Sequence, residues 1–188
     1  GVNAGTMVAG VTPEYQWVNN LTLAQGSFIT KQNYKGKTRV VVFGHSLAEK
    51  FFGSMDPVGQ AVRIDGRQFR VIGVLESKGS AFGIEDLAVY APLSTVQSTL
   101  ASQQVSSLGH SIQAISIQAK SEEVLDSAKE EITSILRQRH HIREGQEDDF
   151  TVMSMEAVSG IAEQMLGIVH LILGAIAGIS LVVGGIGI

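Results

Sequence analysis

A chain of 188 residues, 44% of them hydrophobic, can bury the core of one modest domain and carry a membrane anchor besides, but not two full domains. With 14 basic against 18 acidic side chains the formal net charge is −4, which excludes the Lys/Arg-rich face that nucleic acid demands. Cysteine is absent, so disulfides and thiolate metal sites are excluded too.

From the N-terminus, Thr6–Val11 reads as a strand, followed by Thr12 as N-cap and Pro13 at the first position of a short helix carrying Tyr15, Trp17, Val18 and Leu21. Lys35-Gly36-Lys37 reads as a turn and Arg39–Phe43, rich in β-branched residues, as a strand. Ser46 with Glu49 three residues on has the form of a capping box, opening a helix through Phe51 and Phe52 that stops at Gly53. Beyond the turn at Asp56–Gly59, the apolar runs Ala61–Ile64 and Arg67–Val74 flank Asp65-Gly66. That dipeptide is a two-residue hairpin signal, because Gly accepts the positive φ such a turn needs. Leu87–Tyr90 is a further strand, Ser94 with Gln97 a further cap, and Gln103–His110 a polar loop.

The next stretch has the pattern of a β-α-β unit: a strand over Ser111–Ala119, a helix over Ser121–His140 and a strand over Phe150–Met155. In that helix Val124, Leu125, Ala128, Ile132, Ile135 and Leu136 share one face. Glu122 and Glu123 sit at its positive end, Arg137 and Arg139 at its negative end.

From Gln164 to Ile188 no Lys, Arg, Asp or Glu interrupts the chain. As a helix about 25 residues long this run would extend roughly 37 Å, more than the ~30 Å hydrocarbon core of a bilayer, and a transmembrane helix over 161–188 is predicted. Lys and Arg stop at Arg143, whereas Glu144, Glu147, Asp148, Asp149, Glu156 and Glu163 lie between there and the span. The absence of basic residues on this flank predicts that the preceding domain is extracytoplasmic. Gly174 and Gly178 form a G-x-x-x-G pair, and Ser180, Gly184 and Gly185 extend the small-residue spacing, which allows close helix packing in lipid. His170 is a candidate intramembrane polar site, since such residues face protein or water; a neutral imidazole at headgroup level is the competing account.

Other constellations carry less. Gly44-His45-Ser46-Leu47-Ala48 has the outline of a hydrolase nucleophile elbow, with Asp126, Asp148 or Asp149 and then His170 as the remaining partners. Its fifth residue is Ala rather than Gly, however, and helix capping accounts for Ser46. Gly36-Lys37-Thr38 lacks the earlier Gly of a phosphate loop, Lys31 standing there. Gly184-Gly185-Ile186-Gly187 has the wrong setting for a dinucleotide loop. His140 and His141 with Glu144, Asp148 and Asp149 invite a metal reading, but adjacent histidines at a helix end do not project together. The helix dipole and solvation explain them better. Neither a catalytic residue nor a metal or cofactor ligand is expected.

Several segments, in order, resemble the MacB-like, FtsX-type ABC transporter permeases. They are Val11–Tyr15, Asn20–Gly26, Arg39–Gly44, Leu47–Gly53, Asp56–Gly59, Phe69–Leu75, Val89–Thr95 and Ser180–Ile188, and together they reach across nearly the whole chain. The resemblance implies an α+β fold with a βαβ porter-like subdomain (1–38 and 106–156) and an inserted sabre-like α/β subdomain (39–105). Residues 1–160 would then be a periplasmic core domain ahead of the transmembrane helix. It implies an internal piece of a longer permease of the cell inner membrane, with no enzyme activity of its own. ATP and Mg would belong only to an ABC ATPase domain or subunit, and the further partners would be a second permease copy, a periplasmic adaptor protein and membrane lipid. The role implied is mechanotransmission driving export of macrolides, peptides or lipoproteins. A single-span anchored binding module is the alternative, and a hydrolase using Ser46 a remote one.

Overall fold

The computed structural model of the chain describes residues 5–79, 85–100, 105–106, 109–110 and 112–186. It divides into two compact units, residues 1–118 and 119–188. In the first, strands β1 (Val8–Val11), β2 (Leu23–Gly26), β3 (Val40–Phe43), β4 (Ala61–Ile64), β5 (Arg67–Leu75) and β6 (Val89–Pro92) build one mixed sheet in the order β1-β6-β3-β5-β2, with β4 also on β5. β1 runs parallel to β6 and β3 parallel to β5, while β3–β6, β2–β5 and β4–β5 are antiparallel. Strands from either side of the expected 38/39 boundary therefore share one sheet.

β5 organises that sheet. β3 occupies one of its edges, so β4, paired at residues 67–70, and β2, paired at 73–75, share the other. Between them Gly59 N donates to Val71 O (2.8 Å), Val71 N to Gln60 O (2.9 Å) and Ser27 N to Ile72 O (2.9 Å). Phe69 and Val71 enter one core layer with Val41, Phe43, Leu47 and Val89, and Val74 joins them; Leu75 enters the other, with Val42, Phe28 and Tyr90. The side-chain alternation thus slips by one residue at Ile72-Gly73, where the β3–β5 register also shifts. Gly73 is needed there because a Cβ would lie 2.5 Å from Ser27 O.

Helices α3 (His45–Phe52) and α4 (Leu93–Thr99) cover the first layer, with Phe51 and Phe52 edge-on to Phe43 at 6.0 and 5.6 Å. The short helix α1 (Tyr15–Val18) brings Tyr15 to Tyr90, ring centroids 5.8 Å apart, in the second. The Asp65-Gly66 hairpin forms as expected, both residues having positive φ (49° and 72°).

The expected caps differ. Gly44, not Ser46, is the N-cap of α3, and Ser46 lies in its first turn. A Cβ at Gly44 would meet Glu85 O at 2.3 Å, so only Gly lets the 85–86 backbone approach this closely. Pro92 precedes α4, and Ser94 Oγ donates instead to Tyr34 O of α2 (Lys31–Lys35), a helix opened by a Thr30–Asn33 capping box. Glu14 rather than Thr12 is the N-cap of α1. Within the expected polar loop, Val105–Ser106 (β7) pairs with Gly109–His110 (β8).

Burial raises the phenol pKa of Tyr90 well above the usual tyrosine range, with further contributions from Tyr15, Glu85 and Asp86. Burial and then Glu85 raise that of Tyr15. Because both folded-state values lie above the unfolded one, this contribution to stability is fully present below about pH 10 and is lost as pH rises through the folded values. Tyr90→Phe is accordingly expected to flatten the alkaline fall in stability by up to about 1.4 kcal/mol per pH unit. Urea midpoints across the alkaline range check this, and an unchanged slope would rule it out.

The second unit holds α5 (Leu125–Arg139), preceded by a 3-10 turn at Glu122–Val124, and α6 (Met155–Ile186). Of the expected β-α-β unit only the helix forms among the described residues. Ile112, Ile115 and Ile117 are exposed and unpaired, Ser111 lies outside the described residues, and residues 151–154 are not a strand. An alternating segment becomes a strand only when a neighbour accepts its backbone hydrogen bonds, and none of the described residues does so here.

Candidate functional site

α6 is a single helix of 32 residues, about 48 Å long at 1.5 Å per residue. Ser154 caps it, its Oγ accepting from Ala157 N at 3.3 Å. The stretch Glu163–Ser180 is long and apolar enough to cross a membrane, and none of it is buried inside the chain. Leu166, Leu171, Leu173, Ile176 and Ile179 stand exposed around it, which for an apolar helix in water would be costly and in lipid is not.

Continuity of the helix fixes how its polar and small residues are arranged. At about 100° per residue, Gly174 and Gly178 lie some 40° apart, and His170 lies about 40° to the other side of Gly174. Gly167 and Gly185 fall inside the same arc, while Ser180 and Gly184 stand about 80–120° away from Gly174. The expected small-residue set thus spreads over an arc of about 160°, from Gly178 through Gly174 and Gly184 to Ser180, and the imidazole lies within it, about 40° from both Gly174 and Gly184. A Cβ added at Gly167, Gly174 or Gly178 would meet nothing within 4 Å. Gly167 was not among the expected positions; its seven-residue spacing from Gly174 is the signal that marks it. Ser180 Oγ donates to Ile176 O at 2.8 Å, so its hydroxyl is satisfied within the helix.

The other candidates sit elsewhere. Ser46 makes no hydrogen bond to a histidine or carboxylate among the described residues. Its neighbour His45 pairs with Glu49 (3.7 Å) at the rim of an open cleft of about 460 Å3 floored by Ala48 and Val74. His140 is paired with Asp149, and His141 takes a left-handed φ of 58°. In the first unit, Asp86 is a buried carboxylate that accepts from Ser77 Oγ (2.7 Å) and Lys78 N (3.1 Å). Its two oxygens thereby tie Asp86 to residues 77–78.

A mixed-sheet domain followed by a helix long and apolar enough to cross a membrane is the arrangement of an extramembrane domain with a membrane anchor. The chain belongs to the MacB-like periplasmic core domain family, whose profile matches residues 1–135. It is 29% identical over 181 residues to the uncharacterised ABC transporter permease YknZ of Bacillus subtilis, covering 96% of this chain and 43% of that one. It is 32% identical over 189 residues to the macrolide export ATP-binding/permease protein MacB of Burkholderia pseudomallei, covering 100% and 27%. The chain therefore spans less than half the length of these relatives. The crystal structure of the periplasmic region of MacB from Actinobacillus actinomycetemcomitans superposes with a TM-score of 0.64 at 25% identity, over 83% of this chain and 64% of that one. The extracellular domain of the YknZ transporter from Gram-positive bacteria shares the fold, with a TM-score of 0.56 at 22% identity over 73% and 66%.

Proposed function

We propose that this chain is the extracytoplasmic core domain and following transmembrane helix of an ABC-type export permease, and that it works by mechanotransmission. The observation that carries this reading is the succession of a family-matched domain over residues 1–135 and a helix with an apolar stretch of spanning length, Glu163–Ser180. ATP with Mg is hydrolysed in an ABC ATPase domain or subunit, and the chain itself performs no chemistry. Relatives named as ATP-binding/permease proteins support the coupling to an ATPase. The protein resides in the cytoplasmic membrane with residues 1–160 outside. It pairs with a second copy through the Gly174/Gly178 patch and meets a periplasmic adaptor. Export of macrolides, peptides or lipoproteins is the activity served, the macrolide case resting on the name of the MacB relatives.

Topology tests the reading directly. The Asp65-Gly66 hairpin is exposed, and these 188 residues contain no cysteine, so any cysteine elsewhere in the full-length permease is first replaced by serine. Asp65→Cys in the full-length permease is expected to react with a membrane-impermeant maleimide in intact spheroplasts. Labelling only after lysis would place the domain in the cytoplasm and overturn the reading.

A further inference from the structure

Arg137 and His140, three residues apart at the C-terminus of α5, lie on neighbouring positions of one helix face. The chain reverses directly beyond them: Ile142 N donates to Arg137 O (2.9 Å), Arg143 N to Gln146 Oε1 (3.0 Å) and Gln146 N to Arg143 O (3.1 Å). The returning segment then places two consecutive carboxylates on the two side chains. Asp148 meets the Arg137 guanidinium and Asp149 Oδ1 lies 2.7 Å from His140 Nδ1, while Phe150 packs edge-on against the His140 ring with centroids 5.7 Å apart. Arg137 Nη2 also donates to Arg143 O (2.9 Å) and Gln146 O (3.2 Å). One guanidinium thus gathers a carboxylate and two carbonyls, a planar multi-donor task that a lysine cannot reproduce. Arg137 and Asp148 keep only 28% and 31% of their side-chain surface exposed, so this network is better shielded than an ordinary surface ion pair.

We propose that this clasp is a load path between the membrane helix and the outer domain. Displacement of α6 reaches Asp148–Phe150 through the short Thr151–Ser154 segment. It then passes through Arg137 and His140 into the last turn of α5, bypassing the 141–147 loop. The clasp reduces the effective connector from residues 140–154 to residues 151–154, and a shorter connector loses less of a displacement to slack. The inference rests on the mechanotransmission reading and names the side chains that would carry it.

The test uses the full-length permease with its ATPase in nanodiscs. Hydrogen exchange across residues 141–150 reads the clasp itself: the Ile142 and Gln146 amides are expected to be protected, and Arg137→Gln to speed their exchange about tenfold, the weight of one charge-assisted hydrogen bond. Asp148→Asn, which leaves the two carbonyl bonds of Arg137 in place, gives a smaller increase and serves if Arg137→Gln fails to fold. An environment-sensitive fluorophore on Glu131→Cys, an exposed site on α5, reads transmission as a signal that changes with nucleotide. Both variants are expected to lose at least about half of that change while ATP is still hydrolysed. Unaltered exchange, or a nucleotide signal kept in full by both variants, would overturn the load path alone. A wild-type protein protected at 141–150 but silent to nucleotide would remove the transmission reading and the load path with it.

Discussion

Phe69→Ala is expected to lower the stability of the sheet domain by about 3–5 kcal/mol, a large part of the ~5–15 kcal/mol that holds a typical domain together. Phe69 is 1% exposed and is the largest of the fully buried side chains. It stands opposite Val62 across the β4–β5 pair, in the layer that α3 and α4 cover. Removing the ring leaves a cavity in that core layer. Collapse is restricted there because β3 and β4 both hold β5 in register. Urea unfolding of the detergent-solubilised chain, followed by circular dichroism, should show a lowered midpoint with an unchanged slope. A loss under about 1 kcal/mol would mean that the layer repacks freely and that β5 is not the rigid centre of the sheet.

Leu173→Arg has the next largest expected effect, on membrane insertion. Leu173 lies well inside the Glu163–Ser180 stretch, and Arg at the centre of a span costs about 2.5–3.5 kcal/mol on insertion scales where Leu is favourable by about 0.3–0.6. The ratio of inserted to uninserted helix should fall by roughly two to three orders of magnitude, read by glycosylation mapping in microsomes. Glu163→Arg, at the edge of the stretch, should cost far less because the guanidinium can reach the headgroups. Equal insertion of the two variants would argue that α6 is not spanning as a lone hydrophobic segment.

Much of the fold was legible where the signal is local. Asp65-Gly66 announces its hairpin because positive φ at two successive residues is a demand that few dipeptides meet, and the structure has both angles there. The helical face of α5 and the uncharged length of α6 are periodic or compositional, and both helices form. Caps were less legible. Ser46 and Ser94 have the right spacing to Glu49 and Gln97, but the chain enters each helix at a point set by what the preceding strand must pair with. Gly44 and Pro92 therefore take the entry positions. The Thr30 box was missed because its third residue is Asn33 rather than Glu or Gln, although both reciprocal bonds form.

The candidate site divides the same way. Apolar length and glycine spacing are linear properties, so the span and the Gly174/Gly178 pair could be read directly from the sequence. The gathering of His170, Gly167 and Gly174 on one arc follows only once the helix is known to run unbroken. The Arg137 clasp left no motif to read, since its partners Arg143, Gln146 and Asp148 meet it only after the chain reverses at His141.

By itself, the sequence determined the class of many local elements, the family and the presence of a lipid-compatible helix, because hydrophobic periodicity, turn residues and uninterrupted apolar length act over a few residues. Only the tertiary structure decided that β1 pairs in parallel with β6 across some eighty residues of chain, that β2 and β4 divide one edge of β5, and that Gly73 turns the alternation over. Those are pairings between distant segments. Their free energy depends on which backbone groups and side chains the rest of the fold brings opposite one another, a quantity that no window of the sequence contains.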